Sequence, residues 1–278
     1  MNAIRDLLHD AAERLSAAGV DSPRLDARIL LAQAMGVSRD DLIAAVRQPT
    51  EAEAQRYQSL IARRLAREPL AYITGHKGFW TLDLAVGPGA LVPRPETETL
   101  IEVALSLIPD KTAPLAIADL GAGTGALLAA ALTEFSRANG VAFERSEAAL
   151  PYARRNLEPF GRRAILLAAD WETAGREDFD LILSNPPYIA SADIAGLAPE
   201  VRLFEPHGAL DGGLDGLDAY RSLSGLLPRL LRPGGMALLE LGQGQAGQVE
   251  PLFQKLTVDR VAPDLAGIPR VLVLKKPK

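Results

Sequence analysis

The chain contains no cysteine, so disulfides, thiolate metal sites and cysteine nucleophiles are all excluded. Its three histidines, His9, His76 and His207, leave little material for a metal centre or a histidine-based triad, and no metal is expected. It also lacks a basic surplus. Among 278 residues, 30 Lys and Arg face 35 Asp and Glu, a net charge of −5, so no global positive field holds nucleic acid. No apolar run approaches the ~18–20 residues that a bilayer span needs. The N-terminal MNAIRDLLHDAAERL has helical periodicity with charges throughout, unlike a signal peptide. A cytoplasmic protein without membrane contact is expected. What is present is ordinary for a globular chain: 48% hydrophobic and 23% charged residues, which excludes disordered and fibrous architectures. At roughly 100–200 residues per domain, the length allows one large or two smaller domains.

The pattern changes near residue 75. Before it, apolar residues recur with helical period: Ile4, Leu7, Leu8, Ala11, Leu15, then Leu25, Ile29, Leu30, and later Leu60, Ile61, Leu65. Ser22-Pro23, Ser38, and Thr50 with Glu53 mark helix starts, the last pair with capping-box spacing. This stretch carries 10 arginines and 10 acidic residues, so the whole net charge lies in the remainder. Residues 1–75 are therefore expected to form a helical domain. Residues 76–95, rich in turns and prolines, predict a β-hairpin connector, followed by a helix over Glu96–Ile108 within a third region, 96–278. There, LAIADL, GVAFE, AILLAAD, FDLILSNPP, GMALLEL and RVLVLK read as strands, with helices predicted at 125–137, 147–157, 216–231 and 245–256. Such alternation implies an α/β fold with a mostly parallel sheet covered on both faces.

The first of these strands ends in Asp119-Leu120-Gly121-Ala122-Gly123-Thr124-Gly125 and enters a helix. Glycines at this turn let the backbone approach a ligand at the carboxyl edge of the sheet. Residue 126 is Ala, so the spacing departs from the dinucleotide fingerprint and favours a compact nucleoside-like ligand. About twenty residues on, the second strand ends in Glu144, placed to accept hydrogen bonds from ribose hydroxyls. The third ends in Asp170-Trp171, a carboxylate for an adenine amino group and an indole to cover the ring. Together these acids point to an adenosine site. Asp119 is a further candidate, either orienting the glycine loop or reaching the ligand's amino group.

Asn185-Pro186-Pro187-Tyr188 follows the strand FDLILS. Two prolines have fixed φ and no N–H, which keeps the segment stiff and leaves its carbonyl oxygens free to accept. The Asn185 side-chain oxygen and the Pro186 carbonyl suit the two N–H groups of a planar NH2, with Tyr188 stacked on its face. Such a nitrogen is a poor nucleophile because its lone pair is delocalised. Fixing both hydrogens aims that lone pair at an electrophile, here the methyl of a sulfonium cofactor, without a strong base. Alignment alone supplies up to ~7–11 kcal/mol of a barrier.

DLGAGTG with NPPY resembles the class I S-adenosylmethionine-dependent methyltransferases acting on planar nitrogen. Within them the chain is similar to the PrmC/HemK family, the protein-(glutamine-N5) methyltransferases of peptide chain release factors. The likeness runs nearly end to end, through REPLAYITGHKGFW at 67–80, LVPRPETE at 91–98, SNPPYI, FEPHGALDGGLDGLDAYR at 204–221 and DLAGIPRVLVL. It implies a Rossmann-like domain of seven strands with an antiparallel last strand, preceded by a small helical bundle and a β-hairpin. It further implies S-adenosyl-L-methionine as cofactor, and as partner a release factor whose GGQ glutamine becomes N5-methylglutamine. Carried over by position, Gly121, Ala122, Gly123, Thr124 and Gly125 line the methionine and ribose side, Glu144 binds the ribose, and Asp170 and Trp171 bind the adenine. Asn185, Pro186, Pro187 and Tyr188 hold the glutamine amide.

Three positions depart from the family pattern: Glu144 stands where many members have Asp, Pro151 falls inside the helix predicted at 147–157, and Gly-Ile-Pro-Arg at 267–270 replaces a more polar run. Pro151 removes a backbone donor there and predicts a kink. Phe79 and Trp80 read as packing between modules or as substrate contacts, and Arg94, Glu96 and Glu98 as part of the substrate entrance or as a solvated ion-pair cluster. His76 and His207 read as structural. NPPY is shared with nucleic-acid amino-methyltransferases, but the acidic balance offers no basic stripe for phosphates. A ribosomal-protein glutamine methyltransferase is the closer alternative. An NAD-dependent oxidoreductase is disfavoured by the glycine spacing, and a non-catalytic adaptor by the intact NPPY. A monomer is expected.

Overall fold

A computed structural model describes residues 3–44, 47–175 and 178–278. They fall into two compact units: the chain up to Gly75 together with Ala198–Phe204, and His76–Leu197 with Glu205–Lys278.

The first unit is helical: α1 (Ala3–Ala17), α2 (Pro23–Met35), α3 (Arg39–Ile43), α4 (Glu51–Leu65) and α5 (Leu70–Thr74). Its helix starts follow local chemistry. The Asp41 amide donates to the Ser38 hydroxyl, and Thr50 and Glu53 form the reciprocal capping box that their spacing predicts. Leu15, Leu30, Leu31, Tyr57 and Ile61 fill the core. Beside it lies a buried charge cluster. Arg64, 7% exposed, donates from Nε to Asp26 at 2.7 Å and from Nη1 to Glu200 at 2.9 Å. Arg67 reaches the other oxygen of Glu200 at 2.6 Å. Glu200 belongs to the short helix Pro199–Phe204, which this cluster ties into the helical unit from far along the chain.

The second unit opens with the antiparallel hairpin β1 (His76–Phe79) and β2 (Leu82–Ala85). A 3-10 turn at Pro95–Glu98 leads into α6 (Thr99–Leu107), a later start than the predicted Glu96 because Pro95 and the turn precede the α-helix. The sheet contains β3 (Ala116–Leu120), β4 (Asn139–Glu144), β5 (Ala164–Ala168), β6 (Phe179–Ser184), β7 (Leu231–Glu240), β8 (Thr257–Pro263) and β9 (Pro269–Lys275). Its order is β5-β4-β3-β6-β7-β9-β8, parallel except for β9, which pairs antiparallel with both β7 and β8. This is the seven-stranded Rossmann-like fold of class I methyltransferases.

Continuous apolar runs form the central strands because both faces are covered. Along β6, Leu181 and Leu183 join the core beneath α6 and α7 (Ala126–Glu134), while Ile182 joins the opposite core with Tyr220, Leu223 and Leu227 of the helix Asp218–Leu230. Val271 and Val273 of β9 likewise face one core, and Leu272 and Leu274 the other. This is the period-two alternation of strand side chains.

Three expectations are corrected. The apolar runs revealed six strands and missed β8, a half-exposed edge strand with shifts of register at Val258/Arg260 and Ala262/Pro263. Pro151 does not kink a helix. The helix α8 (Leu150–Leu157) begins just before it, so Pro151 sits in the first turn, where its missing N–H has no intrahelical partner to lose. The helix predicted at 245–256 is only Ala246–Val249, followed by a 3-10 turn at Glu250–Leu252. Among the described residues, no helix is long and apolar enough to cross a membrane.

Removing one partner of a buried ion pair leaves a charge uncompensated. Arg64→Leu is therefore expected to destabilise the protein by about 3–5 kcal/mol, read by urea unfolding followed by circular dichroism. A loss near that of an exposed pair would show that the cluster is not anchoring the helical unit.

Candidate functional site

The strand order reverses between β3 and β6, and open α/β sheets bind ligands at the carboxyl ends on either side of such a switch. A cavity of about 490 Å³ lies there. It is lined by Gly121, Ala122, Gly123 and Thr124 after β3, Glu144 at the end of β4, Asp170 and Trp171 after β5, and Asn185 and Pro187 after β6. Ala90, Pro93, Arg94 and Thr97 line it from the segment that precedes α6.

The glycine loop is held by its backbone. The amides of Gly121 and Ala122 both donate to the Phe143 carbonyl at 3.0 Å. Glu144, 7% exposed, accepts from the Gly123 amide at 2.7 Å and, through its other oxygen, from the Ser146 amide at 2.6 Å. Gly123 has φ +56, and a Cβ there would meet no protein atom within 4 Å, so the space beside it is open. The Trp171 ring lies close over the loop: a Cβ on Gly121 would come within 2.7 Å of it. Its indole N–H donates to Ser222 at 3.3 Å. Asp170 pairs with Arg145 at 2.9 Å and accepts from the Glu172 amide.

Asn185 and Tyr188 meet a buried polar chain. Asn185 Nδ2 donates to Thr97 Oγ1 at 3.1 Å, and Thr97 donates to Glu240 Oε2 at 2.6 Å. The Tyr188 hydroxyl donates to Glu240 Oε1 at 3.2 Å, and burial pushes that phenol's pKa up. Gln245 Nε2 donates to the Tyr188 carbonyl at 2.8 Å while its oxygen accepts from the Gly242 amide. Arg94 pairs with Glu205 at 2.6 Å, and burial raises the pKa of that carboxyl.

Comparisons with known proteins bear on the family and the fold. The PrmC N-terminal domain model matches residues 6–75, and the methyltransferase small domain model matches residues 101–201. A release factor glutamine methyltransferase of Rhodospirillum rubrum is 45% identical over 97% of this chain and 84% of its own. One from Cereibacter sphaeroides is 44% identical over 98% of each chain. The chain belongs to the PrmC/HemK family of release factor glutamine methyltransferases. Among solved structures, a methyltransferase from Pyrococcus furiosus shares the fold at 20% identity, with a TM-score of 0.51 over 80% of this chain and 98% of that one.

The cofactor of this methyltransferase is S-adenosylmethionine, and the residues present suit it. The cavity has the size of a small-molecule site, open space lies beside Gly123, and a carboxylate closes the end of β4. Four of the residues expected to hold the cofactor or the glutamine amide do not line the cavity: Asp119, Gly125, Pro186 and Tyr188. Gly125, with φ +77, starts α7. Asp119 is buried, and its Oδ2 accepts from the Leu128 amide in the first turn of α7 at 3.1 Å, a brace beneath the loop. Phe79 is buried in the sheet unit's own core and also lines the cavity; Trp80 packs on the same core and donates to Glu134. Arg94, Glu96 and Glu98 do not form one cluster. Arg94 lines the cavity, Glu96 is exposed, and Glu98 accepts from the Trp80 amide at 2.7 Å. His76 and His207 lie at the surface beside Asp83 and Asp211. Arg270 of the Gly-Ile-Pro-Arg run donates to Asp264 and to the Leu241 carbonyl.

Thr97, Glu205, Glu240 and Gln245 escaped the sequence reading. For Glu240 a signal existed: an acid closing the otherwise apolar strand GMALLEL.

Burial pushes the Asp119 carboxyl up from 3.8 to about 7; the charge of Glu144 adds to this, and the Leu128 amide opposes it. A carboxyl with a raised folded-state pKa holds its proton more tightly in the folded protein, so stability falls as pH rises from about 4 through about 7. Asp119→Asn removes that titration. Its stability relative to the parent protein is expected to improve between pH 5 and pH 8 in urea unfolding. A difference constant across that window would refute the shift.

Proposed function

We propose that the cavity holds S-adenosylmethionine against the glycine loop, Glu144, Asp170 and Trp171, and that Asn185, Pro186, Pro187 and Tyr188 hold the side-chain amide of a release factor glutamine, the one in its GGQ motif. One observation carries this reading: the glycine loop on one side, and Asn185 and Pro187 on the other, line the same cavity from the adjacent ends of β3 and β6. The relatives, named for release factor glutamine methylation along nearly their full length, supply the substrate.

When bound, S-adenosylmethionine supplies an electrophilic methyl group on sulfur. The chain's contribution is alignment. In this reading the Asn185 side-chain oxygen accepts one N–H of the glutamine amide and the Pro186 carbonyl the other, while Tyr188, whose hydroxyl is held by Glu240, would present its ring to the amide plane. Pro186 and Pro187 carry no N–H that would compete for these acceptors. The amide nitrogen so held would direct its lone pair at the methyl carbon. The methyl–sulfur bond would break as the nitrogen–carbon bond forms, S-adenosylhomocysteine would be the leaving group, and the nitrogen's surplus proton would pass to solvent. The net charge of −5 supports a protein substrate over a nucleic acid. A substrate that works in translation supports a cytoplasmic enzyme, and we read it as acting alone, without direct nucleic-acid contact.

Incubation with labelled S-adenosylmethionine and, separately, purified release factor, ribosomal protein and DNA tests the substrate. Label is expected on a release factor glutamine, and label confined to ribosomal protein or DNA would overturn the assignment. Asn185→Ala is expected to nearly abolish turnover while cofactor affinity, read by calorimetry, stays within roughly threefold. Gly123→Val should do the reverse in order, weakening cofactor binding first, because it adds a branched side chain at positive φ beside the open space. Unchanged affinity in that variant would place the cofactor elsewhere.

A further inference from the structure

We infer that Thr97 and Glu240 are positioning residues that decide which end of the Asn185 side-chain amide faces the substrate. This rests on the reading of Asn185 as the clamp for the glutamine amide.

An asparagine amide is nearly symmetric in shape but opposite in chemistry at its two ends: the oxygen accepts and the NH2 donates. A substrate amide that offers two N–H groups needs the oxygen. A half-turn about the last side-chain bond would present donors to donors, and nothing in the shape of the pocket forbids it. Hydrogen bonding on the far side of Asn185 has to select the orientation.

The buried chain behind Asn185 makes that selection. Both oxygens of Glu240, which is 1% exposed, act as acceptors: Oε2 from Thr97 at 2.6 Å and Oε1 from Tyr188 at 3.2 Å. Thr97, itself 5% exposed, has one hydroxyl proton, and it is committed to Glu240. The Thr97 oxygen is then left only as an acceptor, and it takes Asn185 Nδ2 at 3.1 Å. The Asn185 oxygen is thereby kept out of this chain and free to accept. Polarity thus runs one way, from Asn185 through Thr97 to the carboxylate, and the same carboxylate fixes Tyr188. One buried acid orients both ends of the Asn185–Tyr188 segment. The Tyr220 hydroxyl steadies its backbone by donating to the Glu240 carbonyl at 2.8 Å.

The chain makes a distinction that packing alone would not. Thr97→Ser keeps the hydroxyl and loses a methyl group. Thr97→Val keeps the shape and loses the hydroxyl. Glu240→Gln keeps the shape but has one acceptor oxygen in place of two. With its NH2 against Thr97 it frees the Thr97 proton for the Asn185 oxygen and turns that amide round. With its NH2 against Tyr188 it takes away the acceptor that holds the phenol, so one end of the segment loses its orientation either way.

The test measures kcat and KM for release factor and cofactor affinity by calorimetry, with circular dichroism melts on each variant. Thr97→Val and Glu240→Gln are each expected to lower kcat by roughly tenfold or more, the scale of a buried hydrogen bond turned against its partner, with cofactor affinity within roughly threefold. Thr97→Ser is expected to recover most of kcat. Thr97→Ser falling as far as Thr97→Val, or Glu240→Gln turning over at the parental rate, would overturn the positioning role. If the parent protein methylates release factor and Asn185→Ala does not, while Thr97→Val and Glu240→Gln are unaffected, only this inference fails. A parent protein that leaves release factor unlabelled overturns the clamp and this role with it.

Discussion

The site depends on the parallel pairing of β3 with β6. Ile117 stands opposite Leu181 and Asp119 opposite Leu183, so the two strands end at nearly the same level, with Leu120 and Ser184 as their last residues. The Ser184 hydroxyl donates to the Leu120 carbonyl at 2.7 Å, which ties the two ends together. From this edge the glycine loop leaves on one side and the Asn185 segment on the other. The register is itself fixed by burial. β6 is buried along its whole length, and a slip of one residue would exchange every side chain between two different cores. The glycine loop and the Asn185 segment, proposed to hold cofactor and substrate, are thus adjacent because the sheet packs on both faces.

Catalysis by alignment requires that neither partner drift, since small misplacement forfeits most of the gain. Here the bracing is mostly backbone-directed. Gly212 packs against the Pro187 carbonyl, where a Cβ would come within 2.8 Å. Gly216, at φ +75, packs so closely on the Tyr188 carbonyl that a Cβ would lie 2.4 Å away. Gln245 Nε2 donates to that same carbonyl, and Ile189 pairs through its backbone with Leu210 and Gly212. The DGGLDG stretch, which carries no acid, base or nucleophile in the proposed chemistry, is thereby accounted for as a mould for the backbone of NPPY. Glu205 does the same for the segment before α6, accepting from the Val92 amide and from Arg94.

What the sequence revealed follows from the range of the interactions. The Thr50 capping box, the glycine loop, Glu144 and Asn185-Pro186-Pro187-Tyr188 each declare themselves over a few residues, because a turn, a cap or a strand end is local chemistry. Thr97 gives no such sign. Its partners Asn185 and Glu240 stand 88 and 143 positions away, and Arg94 meets Glu205 at a separation of 111. The helix Pro199–Phe204 joins the helical unit through Arg64, 136 positions from Glu200. β8 was hidden for a different reason: an edge strand buries little, so its sequence TVDRVAP has no apolar run to read.

The scarcity of basic groups, first met as an exclusion of nucleic acid, has a local counterpart in the cavity wall. Two arginines line it, and each already has a carboxylate: Arg94 with Glu205, and Arg145 with Asp170. Glu144 is different, since its oxygens accept from the backbone amides of Gly123 and Ser146. Behind the wall stand Asp119 and Glu240, both buried acids whose carboxyls are pushed up by desolvation. Burial that raises these pKa values favours the uncharged form of both acids, so the negative bias of the wall rests on Glu144, both lining arginines being paired with other carboxylates. That bias suits a ligand carrying a sulfonium cation. The same field would oppose the approach of phosphates, so the electrostatics that favour the cofactor also disfavour a nucleic-acid amine at a clamp whose geometry alone would accept one.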